Sequence, residues 1–296
     1  PAGDNRNRRK GDTDMAGKLY LCATPIGNLD DITLRGLNTL KEVDLIAAED
    51  TRHSIKLLNH YEIKTPLVSY HEHNKYEKTP VLVQRMLKGE TIALVTDAGT
   101  PAISDPGEDL VRACYEAGIP VTSLPGPAAV ITALTLSGMP ARRFTFEGFL
   151  SVDKKERKEV LDRLERTTCT TIFYEAPHRL KKTLALFCEI LGENHRIAIC
   201  KELTKKHETV LHFTLGEAVA YYEANEPKGE FVLVLEGKSA EDMNRAKQEK
   251  WQEMPLPKHM KIYEDKGLSR KEAMKAVAKD RGVSKREIYA KLLEDE

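Results

Sequence analysis

Acidic side chains follow short apolar segments of the chain, where they could bind a ligand or move a proton. The clearest is Asp97, which comes after the apolar run 92–95 within the stretch TIALVTDAGTPAISDPG (91–107). A run of this length is typical of a buried strand, and the Gly99 and Pro101 that follow indicate a loop. No helix start lies close enough to need a cap from Asp97. We therefore interpret its carboxylate as a ligand-binding group, with a chain-turning role as the alternative.

The residues after this loop carry the signals of a helix start. Asp105 fits the N-cap, Pro106 the first helical position and Glu108 the third position after the cap. We therefore interpret Asp105 as a structural cap. The helix is expected to bury Leu110, Val111 and Cys114 and to end at Gly118.

A strand, a tight loop and a capped helix in this order place backbone N–H groups and a carboxylate at the carboxyl edge of a parallel sheet. Ligands bind at that edge in open α/β sheets. The loop contains neither a Gly-Lys-Ser/Thr sequence nor a Gly-x-Gly-x-x-Gly fingerprint. The sequence therefore predicts a ligand site that is not a conventional phosphate cradle.

Two histidines suggest a second kind of chemistry, metal binding. His71 and His73 are separated by Glu72 and would share one face of a strand. No third ligand stands at a spacing typical of a metal site. We therefore predict no metal centre.

The composition limits the classes of protein to which these residues can belong. With 296 residues the chain allows two domains and a small appendage. Lys and Arg total 46, and Asp and Glu also total 46, so any nucleic-acid contact must come from a local basic patch. The five cysteines show no Cys-x-x-Cys spacing, which predicts reduced core residues in a cytoplasmic protein.

Neither a membrane span nor a signal peptide is indicated. No run approaches the roughly 18 apolar residues of a spanning helix, so a soluble protein is expected. Residues 1–17 are polar and lack the apolar stretch of a signal peptide. We expect a disordered extension or an expression remnant there, ahead of a natural start near Met15.

Residues 18–141 alternate between strand and helix patterns and predict an open, largely parallel α/β domain. One helix is expected to bury Leu34, Leu37 and Leu40. Another follows Pro-Gly-Pro-Ala-Ala (125–129), and its expected buried face comprises Val130, Ala133, Leu134 and Ser137. The strands are expected at 18–23, 45–48, 67–70, 92–95 and 121–124.

A second α/β domain is predicted over 142–237. The last two of its strands lack long crossovers on both sides, so its sheet is expected to be mixed. The polar segment 238–257 is interpreted as a linker. The strands are expected at 144–149, 171–174, 196–200, 210–213 and 231–235.

Residues 258–296 are predicted to form a C-terminal helical element. Its helices are expected at 269–281 and 284–295, with Ser269 and Ser284 at the N-caps and Glu287 in a capping box. Two short helices at a turn are similar to a helix-turn-helix, which would contact RNA. A dimer or packing element is the alternative.

Seven sequence motifs, in this order and spacing, resemble the ribosomal RNA small subunit methyltransferase I branch of the tetrapyrrole-methylase superfamily. The resemblance covers 19–237, and the C-terminal helical pair is also similar to that branch. The motifs are TPIGNLDDITLR (24–35), AEDTR (48–52), HEHN (71–74), TDAGTPAISDPG (96–107), PGPAA (125–129), YEAPHRL (174–180) and KELTKKHE (201–208).

The resemblance implies a fold and a reaction. The fold is α/β, with two domains of tetrapyrrole-methylase type, a parallel sheet in the first and a mixed sheet in the second, plus the small C-terminal helical element. S-adenosylmethionine would lie in the cleft between the two domains. The implied activity is that of a homodimer that 2′-O-methylates a cytidine ribose in 16S rRNA near the decoding centre of the small ribosomal subunit.

The resemblance also implies which residues hold the methyl donor. In the superfamily the donor lies folded across the cleft against a loop of the first domain. Thr-Pro-Ile-Gly-Asn and Asp-Ala-Gly-Thr-Pro stand here in place of the commoner Gly-x-Gly and Gly-Asp-Pro loops, which separates the RNA branch from the porphyrin branches. The cofactor-binding residues carried over are Pro25, Asp97, Gly99, Ile103, Ala129, Leu203, Lys228 and Gly229.

Methyl transfer from a sulfonium is an in-line displacement, and a ribose hydroxyl gains from a positioned base or cation. Asp50 and Glu202 are predicted to orient or deprotonate that hydroxyl, with an ion pair across the domain interface as the alternative. Arg52 and Arg179 are predicted to hold phosphates, because arginine keeps its proton and forks onto phosphate oxygens. The other residues predicted to bind RNA are His73, His178 and Lys201.

Two other functions remain open at the level of sequence. A protein with this fold and cofactor could methylate a small molecule such as a tetrapyrrole. A protein of another class would bind RNA or the ribosome through its C-terminal helices without catalysis.

Overall fold

The computed structural model describes residues 17–294, apart from the side chains of Ala240, Ala246, Lys247 and Glu294. Apart from Gly17, the extension expected at 1–17 lies outside the described residues.

The first domain contains a five-stranded sheet in which every pairing is parallel, as predicted. The strand order is β3-β2-β4-β1-β5. Because all strands run the same way, their carboxyl ends meet at one edge. The strands are β1 (Leu19–Cys22), β2 (Leu45–Ala48), β3 (Leu67–Ser69), β4 (Ile92–Val95) and β5 (Val121–Leu124).

Two apolar cores lie on opposite faces of this sheet. Successive residues of a strand point to opposite faces, so Leu45 and Ala47 join one core while Ile46 and Ala48 join the other. A strand that is apolar at every position is typical of a sheet covered by helices on both sides. Helices α1 (Leu34–Glu42) and α2 (Thr51–His60) cover one face, and α3 (Lys75–Leu87) and α4 (Gly107–Glu116) cover the other, whereas α5 (Ala129–Ser137) packs elsewhere.

The apolar face predicted for α1 was wrong at one position. Leu40 is fully buried and Leu37 packs partly against the core, but Leu34 is 80% exposed. A helix turns about 100° per residue, so a residue six positions from Leu40 lies about 120° around the axis. Gly36 is the buried residue of that first turn.

The start predicted for α4 was one residue early. Pro106 occupies the N-cap position, and the helix begins at Gly107. The Asp105 carboxylate accepts hydrogen bonds from the N–H groups of Gly107 at 2.9 Å and Ala102 at 3.0 Å. Its structural role is therefore confirmed, although it holds the loop and the first turn together instead of being the N-cap.

The second domain has a mixed five-stranded sheet in the order β6-β7-β10-β8-β9, as predicted. Only the β6–β7 pair is parallel, and the other three pairs are antiparallel. Its strands are β6 (Phe144–Phe149), β7 (Thr170–Glu175), β8 (Arg196–Lys201), β9 (Thr209–Thr214) and β10 (Phe231–Leu235), and its helices are α6 (Lys154–Leu164), α7 (Pro177–Leu191) and α8 (Leu215–Ala224).

Helix α5 joins the two domains. Its buried residues are Val130, Ala133, Leu134 and Ser137, the face that the sequence predicted. This face packs in one apolar cluster with residues of the second sheet, including Ala198 and Val234. The second sheet therefore uses one face for its own helices and the other face for a helix of the first domain.

The C-terminal region is more helical than predicted. The supposed linker contains α9 (Ala240–Glu253), which begins at an N-cap on Ser239 with a capping box to Asp242. Helix α10 (Leu256–Glu264) follows and was not predicted. Both helices were missed because each buries only part of its surface, so its sequence carries few of the apolar residues by which a helix is predicted. The two predicted helices are confirmed as α11 (Arg270–Arg281) and α12 (Lys285–Glu294).

A buried polar cluster lies among these C-terminal helices. His259 is fully buried, and its ring stacks on that of Trp251 with 4.1 Å between centroids. Its Nε2 lies 3.2 Å from an Asp280 oxygen, and its Nδ1 accepts a hydrogen bond from Arg281 Nε at 3.1 Å. Tyr263 also donates to Asp280. Burial lowers the pKa of His259 and the nearby Arg281 charge lowers it further, and together they outweigh the opposing effect of Asp280.

The cysteines are free thiols. Cys22, Cys114 and Cys200 are buried, which confirms the prediction of reduced core residues for these three. Burial raises the pKa of Cys22 and Cys200 to about 12, so both act as small apolar groups at neutral pH.

Across residues 17–294, we find no helix with both the length and the apolar character needed to cross a membrane.

Two leucines of α1 provide a matched test of the corrected helix face. Leu40→Ala should lower the free energy of unfolding by roughly 2–5 kcal/mol, because it leaves a cavity in the core. Leu34→Ala should change it by less than about 0.5 kcal/mol, because the side chain is exposed. Urea unfolding followed by circular dichroism measures both. Equal losses would contradict the assigned face.

The His259 cluster predicts a pH-dependent stability of the C-terminal helices. In the unfolded chain a histidine has a pKa of about 6.5, above that of buried His259, so the unfolded state binds more protons at lower pH. Stability should therefore be full above pH ~6.5 and fall as the pH drops below it. The only tryptophan, Trp251, reports unfolding by fluorescence.

The control for this measurement is an exposed histidine. His259→Gln should flatten the decrease in unfolding temperature between neutral and mildly acidic pH, whereas His207→Gln should leave it unchanged. An unaltered pH dependence in His259→Gln would remove this residue as its source.

Candidate functional site

The loops after β1 and β4 are joined at the carboxyl edge of the first sheet. The N–H of Thr24 donates to the Gly99 carbonyl at 3.0 Å, and the N–H of Gly99 donates back to the Thr24 carbonyl at 2.9 Å. Gly99 has a φ of +85°, and a Cβ there would lie 3.2 Å from Ile26. Glycine is therefore required where the two loops meet.

Acidic side chains attach the loop after β2 to the same assembly. The Thr96 hydroxyl donates to Glu49 Oε2 at 2.6 Å, and the Asp50 N–H donates to Asp97 Oδ1 at 3.1 Å. Asp97 thus has a structural contact and is also partly exposed toward the cleft described next. Both of the roles considered for it from the sequence are compatible with its position.

A cleft between the two domains lies over these loops. One part of it, which we call the inner cavity, has a volume of about 500 Å³. Asp97 and Ala129 line it from the first domain, and Tyr174, Leu203 and Val232 line it from the second. The volume is within the range of small-ligand sites, about 300–1,000 Å³. The gap is therefore open and not closed by aliphatic packing.

A second cavity adjoins the first, and we call it the α2 cavity. It has a volume of about 420 Å³ and lies against helix α2, from which His53, Lys56 and His60 line it. The second domain contributes Lys205. The residues common to the walls of both cavities are Ile26, Thr96, Asp97, Ala98 and Glu230.

A contact between the domains lies beside the α2 cavity. The N–H of Asn28 donates to the Thr204 hydroxyl at 2.9 Å. Thr204 and Glu202 have φ values of +64° and +52°, conformations that cost non-glycine residues energy. Such strain is retained where surrounding contacts impose it, and it is frequent at functional sites.

The predicted donor-binding residues lie around these cavities. Asp97, Ala129 and Leu203 line the inner cavity, and Pro25 lines the α2 cavity. Gly99 and Ile103 border a recess of about 30 Å³ that also touches Ala129. Lys228 and Gly229 precede Glu230, which lines both cavities. These residues remain predicted donor contacts.

Asp50 is held by its own loop. It is the N-cap of α2, and its carboxylate accepts hydrogen bonds from the Arg52 N–H at 2.8 Å and from the Arg52 guanidinium. The guanidinium lowers the pKa of Asp50 to about 2, so the carboxylate is a weak proton acceptor at neutral pH. This ion pair is local and does not cross the domain interface.

Glu202 is likewise held within its own domain. Its Oε1 accepts hydrogen bonds from the Glu230 N–H at 2.8 Å and from Lys205 Nζ at 3.1 Å. Burial alone would raise the pKa of Glu202, but these two donors lower it overall. Both predicted catalytic carboxylates therefore suit an orienting role better than a deprotonating one.

The residues predicted to bind RNA differ in their exposure and in the contacts that they already make within the protein. Arg179 donates a hydrogen bond to the Leu150 carbonyl, and its Nε lies 3.5 Å from Oε1 of the buried Glu175. These contacts bind the guanidinium to the end of β6. The Arg52 side chain is 89% exposed but forks onto Asp50. His73 and His178 are exposed, and Lys201 is half-buried. Their contacts with RNA remain predictions.

Aromatic residues of the inner cavity were missed from the sequence. Tyr174 and Phe149 line it, with 5.7 Å between their ring centroids. A bulge between Phe146 and Gly148 shifts the end of β6, and bulges commonly re-aim side chains next to active sites. Gly148 within the aromatic strand sequence FTFEGF could have indicated this bulge, because a glycine inside a strand often marks one.

The histidines considered for metal binding lie at the end of β3. The His71 and His73 rings are 6.0 Å apart, and His71 Nε2 lies 3.2 Å from the Asn74 amide nitrogen. Among the residues that the structure describes, no group of three or more His, Cys, Asp or Glu side chains is arranged to hold a metal ion.

Comparison with known sequences gives close matches over most of the chain. Residues 18–219 match the family described as Tetrapyrrole (Corrin/Porphyrin) Methylases. The chain is 50% identical over 276 residues to a Halalkalibacterium halodurans protein named Ribosomal RNA small subunit methyltransferase I, covering 93% of this chain and 94% of that protein. A Bacillus subtilis protein of the same name is 48% identical, covering 94% of each chain.

Comparison with solved structures supports the fold. Uroporphyrin-III C-methyl transferase from Thermus thermophilus, in a crystal structure described as complexed with S-adenyl homocysteine, superposes with a TM-score of 0.53 at 17% identity. The match covers 74% of this chain and 97% of that one. At this identity the likeness concerns the fold alone.

A glycine substitution tests the contact that holds Glu202. A Cβ on Gly229 would lie 2.6 Å from the Glu202 carboxyl group, and Gly229 has a φ of +89°. Gly229→Ala should therefore lower the free energy of unfolding by more than the roughly 1–3 kcal/mol of an unfavourable backbone conformation alone. Gly118→Ala is the control, because its φ is +70° and the space around it is open. Equal losses in urea unfolding would argue against a rigid Glu202 contact.

Proposed function

Because the chain belongs to the tetrapyrrole (corrin/porphyrin) methylases and, within them, to the ribosomal RNA small subunit methyltransferase I family, we propose that it methylates small-subunit ribosomal RNA with S-adenosylmethionine. The reaction we propose is 2′-O-methylation of a cytidine ribose in 16S rRNA near the decoding centre. The observation that carries this proposal is the match to relatives of that name over 93–94% of the chain.

The inner cavity fits a positively charged methyl donor. Four carboxylate residues line it, and its lining contains neither lysine nor arginine. Two of them, Glu175 and Glu230, are paired with Arg179 and Lys205 outside the lining, so Glu49 and Asp97 supply most of the negative field. Acidic walls in a partly enclosed site favour a cation such as a sulfonium. Ala129, Leu203 and Val232 offer apolar contacts to the rest of the donor. The four carboxylate residues are Glu49, Asp97, Glu175 and Glu230.

The protein's own part in the reaction is to align the groups. S-adenosylmethionine supplies an activated methyl group when bound. Residues 96–98 would hold the acceptor oxygen in line with it, because this turn belongs to the walls of both cavities. Asp50 and Glu202 remain our proposed contacts to the acceptor hydroxyl, and their lowered pKa values favour orienting it as hydrogen-bond acceptors.

We also propose that the protein works as a homodimer in the cytoplasm, on the small ribosomal subunit or its free 16S rRNA. The proposed RNA contacts are Arg52, His73, His178, Arg179 and Lys201. The C-terminal helices are a further surface that could contact RNA or pack in the dimer.

A labelled methyl-transfer assay tests the reaction. Small subunits from a strain lacking the enzyme are incubated with tritiated S-adenosylmethionine, and the label is mapped by a ribose-specific method. Label at a cytidine 2′-oxygen supports the proposal. Label on a tetrapyrrole instead of RNA would support a small-molecule methylase, and ribosome binding with no label on any acceptor would support a non-enzymatic binding protein.

An Asp97 variant tests the donor site. Asp97→Ala should weaken the binding of S-adenosylhomocysteine about tenfold, the loss expected for one charge-assisted hydrogen bond of about 1.5 kcal/mol. Glu116→Ala is the control. Glu116 is exposed in the last turn of α4, and this end of the helix lies toward the amino edge of the sheet, away from the cleft. Isothermal titration calorimetry measures both. Unchanged affinity in Asp97→Ala would exclude Asp97 from the donor site.

A further inference from the structure

The α2 cavity has a cationic wall that the proposed donor site does not use. His53, Lys56 and His60 are spaced three and four residues apart, so they lie along one side of helix α2. All three are exposed and line the cavity. Within the described part of the chain, Lys56 has no ion-pair partner. Its ammonium group is therefore available to an anion that enters the cavity.

Lys205 on the opposite wall, unlike Lys56, is ion-paired. Its ammonium group contacts Glu202 at 3.1 Å and Glu230 at 2.8 Å, and these two carboxylates neutralise it. Arg52, one residue before His53, has its guanidinium on Asp50. Among the described residues in this part of the cleft, Lys56 is therefore the cation without an ion-pair partner. His53 and His60 lie on either side of it along the helix.

The two cavities differ in the side chains that they do not share. Both are lined by Asp97 and Glu230, but the inner cavity adds Glu49 and Glu175 and lacks lysine and arginine, whereas the α2 cavity adds Lys56 and Lys205. A cationic donor would prefer the inner cavity, and a polyanionic acceptor would prefer the Lys56 side of the α2 cavity. The two cavities meet at the turn 96–98, so groups bound in them would be neighbours there.

The size of the α2 cavity limits what can enter. A volume of about 420 Å³ is that of a small-ligand site and not of a groove for double-stranded RNA. Enzymes that modify a nucleotide inside a duplex must extrude it or act on single strands. The cavity therefore fits one nucleotide at a time, with its neighbouring phosphates toward the exposed helix face.

We propose that the α2 cavity is the acceptor site, in which Lys56, His53 and His60 hold the sugar–phosphate strand of a single-stranded or extruded nucleotide beside the turn 96–98. This inference rests on the proposed function and assigns the acceptor to a cavity that adjoins that of the donor and shares the turn 96–98 with it. Helix α2 would then contact the RNA through this side in addition to Arg52, the contact proposed above.

The test is the salt dependence of RNA binding. A fluorescently labelled single-stranded oligoribonucleotide is titrated with the full chain at several salt concentrations, and anisotropy gives the affinity. Lys56→Ala should reduce the slope of log affinity against log salt by about 0.7, the value for one lost phosphate contact on a single strand. The same loss corresponds to about fivefold weaker binding at ~0.1 M salt.

Three controls accompany this variant. Lys56→Arg keeps the charge and should restore the slope. Lys64→Ala should leave it unchanged, because Lys64 precedes β3 and lies at the opposite edge of the sheet. S-adenosylhomocysteine should bind Lys56→Ala with wild-type affinity, which shows that the variant is folded and that its donor site is intact.

The outcomes separate this inference from the proposed function. A wild-type chain that transfers no methyl group to ribosomal RNA would overturn the proposed function. A wild-type chain that does so, together with an unaltered salt slope in Lys56→Ala, would overturn only the acceptor site. The same change in slope with a fully paired RNA duplex would overturn the single-nucleotide part of the inference.

Discussion

Apolar packing between α5 and the second sheet fixes the distance between the two domains, and the cleft depends on it. The buried face of α5 includes small residues such as Ala133 and Ser137, which let the helix backbone approach the strands closely. His212 adds a polar contact, with its Nε2 3.1 Å from the Ser137 carbonyl oxygen. Each fully buried leucine or valine at this joint contributes roughly 1.5–3 kcal/mol. The domains are therefore held together beside the cleft and separated above it.

Within this frame, most acidic groups at the loop ends have a structural contact. Asp50, Glu49 and Asp97 connect the loops of the first sheet, while Glu202 holds the turn before β10. Such contacts fix the position of each carboxylate before any ligand arrives. A side chain that is already held in position loses little conformational entropy when a ligand binds. This is an advantage for an enzyme that has to align a donor with an acceptor. The Arg52 guanidinium lowers the pKa of Asp50, and the Glu230 N–H and Lys205 lower the pKa of Glu202 against the effect of burial, which weakens both carboxylates as bases.

The cleft is chemically uneven in a way that suits two unlike ligands. The inner cavity has acidic and apolar walls, and the α2 cavity has Lys56 on its helix side, with the turn 96–98 between them. A chain with a net charge of zero can therefore present different local fields to the proposed sulfonium donor and to the proposed RNA acceptor. A local patch of this kind would allow RNA to bind without a basic surface overall.

The sequence by itself determined the two α/β domains, the parallel and mixed sheets, and the buried face of α5, because hydrophobic periodicity and glycine or proline breaks are local properties of the chain. It also placed Asp97 at the carboxyl edge of the first sheet, where the residue lines the inner cavity. Tertiary structure alone decided that Arg179 donates to the Leu150 carbonyl at the end of β6 and that Lys56 lines a cavity together with residues of the second domain. These outcomes depend on which side chains meet across loops, helices and domains, and spacing along the chain does not encode such distances. Helix α9 was missed for a related reason, since a polar segment becomes a helix through its caps and a partly buried side that composition does not reveal.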